Sequence, residues 1–151
     1  MKMTNELEKK IEEVKGKMPG IEGYLKPRSC ATWGTHSNSN VEAVDYKENE
    51  EYRIAAAKWE EHLWNEDGGG IAWNIWAELY VQKKGEEGVQ KLKKEQINVR
   101  HQYDQNQDKR HYWGLNVRIT EIDGNKVGVE MYNSEAGIKQ DFDLNEKKED
   151  E

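Results

Sequence analysis

The sequence predicts an α+β domain: two helices in the N-terminal half packed on a mostly antiparallel sheet that closes with a C-terminal β-meander. Three observations predict it. Residues 5–18 and 48–65 carry apolar side chains at helical spacing, and from Gln96 onward apolar and polar residues alternate between turn signals. Six Trp and seven Tyr supply the large surfaces for a core in a chain with 35% charged residues and a single Phe. At 151 residues the length fits one domain, 1–144, followed by a charged tail over 145–151.

The first helix follows from Leu7, Ile11, Val14 and Met18, which share one stripe. Asn5 is placed to cap it with Glu8 three residues on, and Pro19-Gly20 ends it. Residues 21–47 read as mostly irregular, with short strands around Ile21–Leu25 and Cys30–Trp33 and a loop-forming Ser37-Asn38-Ser39-Asn40 run. The second helix, 48–65, rests on Tyr52, Ala56, Trp59 and Leu63 at helical spacing, on Ala55-Ala56-Ala57, and on acidic residues in its first turn. Asp67-Gly68-Gly69-Gly70 stops it.

Residues 71–81 fit both periods. Their β-branched and aromatic content favours a strand, which sends Trp73 and Trp76 to opposite faces. A short helix is expected over Glu86–Lys94. Ile97, Val99, His101 and Tyr103 alternate; Tyr112–Ile122, Lys126–Tyr132 and Ile138–Leu144 form the meander, turning at Asp123-Gly124-Asn125 and at Asn133–Gly137.

Charge and composition exclude several classes. A net charge of −7 disfavours nonspecific nucleic-acid binding, which needs Lys and Arg to neutralise phosphates. No apolar run approaches the ~20 residues of a membrane-spanning helix, no apolar leader opens the chain, and one cysteine, Cys30, makes no internal disulfide. A cytoplasmic protein is the expectation.

No catalytic signature emerges, so neither a catalytic set nor a cofactor is assigned. His36, His62, His101 and His111 lack the spacing of a zinc site, and His62 with Glu66 is a pairing that Glu-rich segments produce by chance. His101 and His111 flank one turn and suit a proton-transfer pair or two ordinary cross-strand neighbours. Asp104, Asn106 and Asp108 imitate a calcium loop, but Lys109 and Leu115 stand where Gly and Glu are required. Gly68-Gly69-Gly70 lacks the spacing of a phosphate loop, and nothing in the sequence activates Cys30 as a nucleophile.

Two functional readings lead. The first is a non-catalytic acidic module, of the inhibitor or immunity type seen in phages and mobile elements, docking on a larger protein through an aromatic-anchored patch. It draws on residues 42–67, with nine carboxylates against three cations, and on the tryptophan count. The second is a binder of small molecules, or an enzyme, with an aromatic-lined pocket on the antiparallel sheet. Trp76, Trp113, Tyr103 and Tyr112 would form its walls, and His101, His111, Arg100 and Arg110 its polar groups. Residues 82–111 hold eight basic and five acidic residues, which points this pocket toward an anionic ligand such as a nucleotide. A third reading is an assembly component whose exposed rings meet copies of itself.

Overall fold

The computed structural model describes residues 5–32, 34–65, 70–94, 97–101 and 114–145. Among them one α-helix, α1 (Asn5–Lys17), and a 3-10 turn (Ile21–Gly23) precede nine strands: β1 (Arg28–Thr32), β2 (Thr35–Glu48), β3 (Tyr52–Asn65), β4 (Gly70–Lys83), β5 (Gln90–Lys93), β6 (Ile97–His101), β7 (Asn116–Asp123), β8 (Lys126–Tyr132) and β9 (Gly137–Asp143). Every pairing is antiparallel. The large sheet runs β1-β2-β3-β4, with β5 and β6 sharing the far edge of β4; β7-β8-β9 form a second sheet.

The expected pair of helices on a sheet is therefore corrected to one helix and two sheets. Residues 52–65 are the middle strand of the large sheet, not a helix. Tyr52, Ala56 and Trp59 match helical spacing only by coincidence: Tyr52 and Ala56 belong to one core and Trp59 to the other. A strand buried on both faces loses its period-two signature and reads as a continuous apolar run. Helix propensity, a few tenths of a kcal/mol per residue, cannot compete with two flanking ladders.

Two further expectations change. Residues 35–47, read as mostly irregular, lie in β2, and the 86–94 helix is a turn followed by β5, with Gly85 (φ 87°) and Gly88 (φ 94°) in the left-handed region that ends any helix there. Ile21–Gly23 is a 3-10 turn rather than a strand. By contrast, α1, β4, β6 and the meander lie where the patterns put them.

The large sheet is covered on both faces. Leu7, Ile11, Val14, Met18, Ile21 and Leu25 cover Val41, Val44, Ala55, Ala57, Trp59, Trp76 and Tyr80 on its helix side. On the opposite face Ala43, Ile54, Ala56, Ile75, Ala77, Leu79 and Val81 meet the second sheet through Leu115, Val117, Ile119, Val127, Val129, Met131, Phe142 and Leu144. Alanines in β3 let both layers approach closely. Asp45 joins the layers: one carboxylate oxygen accepts the Ile119 backbone N–H at 2.8 Å, and the other lies 3.9 Å from Lys10 of α1.

Candidate functional site

Alternation along β3 carries Lys58, Glu60, His62 and Trp64 onto the face that Ile54 and Ala56 occupy. There the apolar half of the sheet gives way to a polar half. Cross-strand register sets Asn40 and Ile75 on either side of Glu60, Asn38 and Trp73 on either side of His62, and His36 opposite Trp64. Three strands roughly 4.8 Å apart thus present a compact grid of titratable and aromatic side chains.

Glu60 is the centre of the grid. Its side chain is 7% exposed and that of Lys58 is fully buried. Lys58 Nζ donates to Oε2, and Trp73 Nε1 donates to Oε1 at 2.9 Å. His62 Nε2 lies 3.5 Å from Oε1, while half of the His62 side chain is in solvent. Burial alone would raise the Glu60 carboxyl; hydrogen bonds from His62, Lys58 and Trp73, together with the Lys58 charge, overcome it and bring the pKa down to about 2. His62 stacks on Trp73 (centroids 6.0 Å, 12°), and His36 stacks on Trp64 (5.6 Å, 18°). A buried Lys–Glu pair seldom gives the most stable packing, because desolvation offsets most of the Coulombic gain. With a solvent-facing imidazole beside it, the pair links an interior carboxylate to water.

Among the described residues the large sheet departs from regular register only around this grid. Its three register shifts fall between Val41 and Ala43, between Leu63 and Trp64, and between Trp73 and Asn74. The first leaves Glu42 as an extra residue. Its carboxyl is raised by burial and by the neighbouring Glu60, against the pull of Lys58 and His62. β-Bulges re-aim side chains and concentrate near functional sites.

A second buried glutamate occupies the helix side. Glu78, fully enclosed, accepts Arg28 Nη1 and Nη2 at 2.8 and 2.9 Å, Trp76 Nε1 at 2.7 Å and Tyr80 OH at 2.7 Å. Trp59 Nε1 donates to the Tyr80 hydroxyl at 2.8 Å, Trp59 and Trp76 stack at 6.1 Å, and the Arg28 guanidinium lies 3.8 Å from the Trp59 ring centre. Burial again opposes ionisation, but the donors prevail and the Glu78 carboxyl is lowered. Four donors saturate the carboxylate, so this cluster is an internal brace.

Of the pocket residues expected from the sequence, Trp76 is part of that brace and 2% exposed. Arg100 and His101 lie in β6, where the register sets them opposite Trp73 and Ala72 at the edge of the grid. Trp113, Tyr103, Tyr112, His111 and Arg110 lie outside the described residues, as do Asp104, Asn106 and Asp108. Trp73 and Trp76 do take opposite faces. Sequence reasoning missed Lys58, Glu60 and Glu42 altogether. The signal was available as alternating Lys-x-Glu-x-His over 58–62, but a helical reading of that stretch spreads these residues around a cylinder.

Among the described residues no group of three His, Cys, Asp or Glu could hold a metal ion, and no helix is long and apolar enough to cross a membrane. No protein-family model, curated protein or solved structure matches this chain.

Proposed function

We propose that this protein binds a small polar molecule on the polar half of its large sheet, over Glu60, His62, Trp73 and Trp64. The observation that carries the reading is the convergence of a buried Lys58–Glu60 pair and a half-exposed His62 on one sheet face, with three register shifts of the sheet around them. Aromatic walls with a few convergent polar groups are the usual make-up of a ligand site. The expected partners shift accordingly. Three carboxylates of the acidic stretch 42–67 are engaged within the fold: Glu60 is buried against Lys58, Asp45 bridges the layers, and Glu48 pairs with Lys84.

A docking module for a larger protein is the second reading, and the observation in its favour is the partly exposed His36–Trp64 stack. One experiment separates the two. The labelled full-length chain is screened by NMR against a fragment library, following the Trp73 and Trp64 indole N–H and the His62 ring. Fragments that shift Trp73 and His62 together, and lose affinity in His62→Ala, support the small-molecule site. A library that leaves those signals unmoved, alongside a stoichiometric protein partner lost in Trp64→Ala, overturns it.

A further inference from the structure

We infer that His62 acts as a general base, drawing a proton from water for attack on a small carboxylic ester, an assignment that rests on the polar half of the sheet being a ligand site. This face carries two His–Trp stacks that differ in one respect. His36 lies on Trp64 at 5.6 Å and His62 on Trp73 at 6.0 Å, each pair nearly parallel. Among the described residues only the second stack is backed by a carboxylate. His62 Nε2 is 3.5 Å from Glu60 Oε1, and the same oxygen accepts Trp73 Nε1 at 2.9 Å, so one atom holds both rings of that stack. Lys58, fully buried, keeps the carboxylate charged through its other oxygen. An ionised carboxylate against one imidazole nitrogen sets the tautomer: Nε2 carries the proton and Nδ1 presents its lone pair. It also steadies the charge the ring gains on taking a second proton. Half of the His62 side chain is in solvent, so water reaches the ring.

The neighbours decide the chemistry. Glu60 and Trp64 flank His62 along β3, and Asn38 and Trp73 stand across from it on the adjoining strands. None is a hydroxyl or thiol, so the attacking oxygen comes from water. Asn38 is exposed, and cross-strand partners lie about 5 Å apart, which puts an amide N–H within reach of a carbonyl oxygen that gains charge in the reaction. Nδ1 takes a proton from water while the water oxygen's electron pair forms the bond to the carbonyl carbon. The leaving oxygen departs with the electron pair of its bond to that carbon and takes the proton from the imidazolium, giving acid and alcohol.

The test follows hydrolysis of p-nitrophenyl acetate by the full chain carrying Cys30→Ala, which removes an exposed thiol from the reaction. In that background His62→Ala, which retains His36, should lower the protein-dependent rate at least about tenfold. Glu60→Leu combined with Lys58→Met should lower it comparably with the fold kept, because the imidazole remains but loses the group that positions it. Turnover should show a solvent deuterium isotope effect and no initial burst of nitrophenol. A burst would make His62 a nucleophile rather than a base. A rate indifferent to His62→Ala or to loss of the Glu60 carboxylate, or no hydrolysis above that of buffer, also removes the assignment. The fragment screen reads binding without turnover, so fragments that still bind through His62 in such a chain leave the ligand site standing.

Discussion

Glu60 and Glu78 sit on adjacent strands of one sheet, both buried, both ionised and both bonded to an indole N–H, yet they face opposite layers and serve different ends. Glu78 is saturated by an arginine fork, an indole and a phenol, and its surroundings are enclosed by helix α1 and the turn after it. Glu60 has one ammonium, one indole and an imidazole half in water. A saturated carboxylate has nothing left to offer a ligand. A carboxylate whose outermost partner is solvent-facing and titratable does, so neighbouring chemistry of the same kind separates into a brace and the cluster proposed as a site.

The largest expected effect breaks the brace. Glu78→Ala takes the bidentate partner from Arg28, which keeps the Tyr24 carbonyl at 3.2 Å, removes the acceptor of two ring donors, and should cost about 3–5 kcal/mol in urea unfolding, the range for breaking a buried ion pair. A loss below about 1 kcal/mol would mean that Arg28, Trp76 and Tyr80 find water instead. Trp59→Ala should cost a similar amount, about 3–5 kcal/mol, because it empties the stack with Trp76 and removes the indole donor to the Tyr80 hydroxyl.

The sharpest contrast lies in rescue. Glu60→Leu alone strands the buried Lys58 ammonium and should cost about 3–5 kcal/mol, whereas Lys58→Met combined with Glu60→Leu should return to within about 1 kcal/mol of the parent or exceed it. No such pairing repairs Glu78→Ala, since its donors come from three residues on two strands. If the double variant is as stable as the parent but no longer binds ligand, the pair is kept for function; if it fails to recover, the pair is part of the scaffold after all.

Acid separates the two sites by degree. Both glutamates have folded pKa values below the ordinary carboxylate value, so each contributes stability that is full above about pH 4.5 and is lost on protonation of the folded state. For Glu60 the loss spans the range from 4.5 down to about 2. Unfolding measured from pH 6 to pH 2 should steepen below 4.5, and the Lys58→Met, Glu60→Leu double variant should show a shallower slope. The smallest effect belongs to Trp64→Ala. Partly exposed and, among the described residues, stacked on His36, it should change stability by about 1 kcal/mol or less while weakening ligand binding.

Much of this architecture was legible from residue order, and the failures have one cause. Helix α1 and strand β7 each bury one face, so Leu7-Ile11-Val14 keeps the helical period, Val117 and Ile119 keep the strand period, and Gly124, at φ 59°, marks its own turn. β3 buries both faces, and Ile54 through Trp59 shows no alternation from which to recognise a strand. β2 fails differently: His36, Asn38 and Asn40 face the grid with polar side chains, and a polar strand face looks like loop chemistry.

The candidate site was illegible for the same reason, since Lys58, Glu60 and His62 form a row only once residue 58 onward is known to be extended. By itself the sequence determined that a helix would open the described chain and that a meander would close it, because both depend on local periodicity and turn chemistry; the expected ring-built core is instead mostly aliphatic among the described residues, with Trp59, Trp73, Trp76, Tyr80 and Phe142 as its buried rings. Only tertiary structure decided that the middle of the chain is a two-faced sheet, and so which carboxylate is sealed and which meets water. Both choices turn on what packs above and below a strand, and that information is carried by residues distant in the chain.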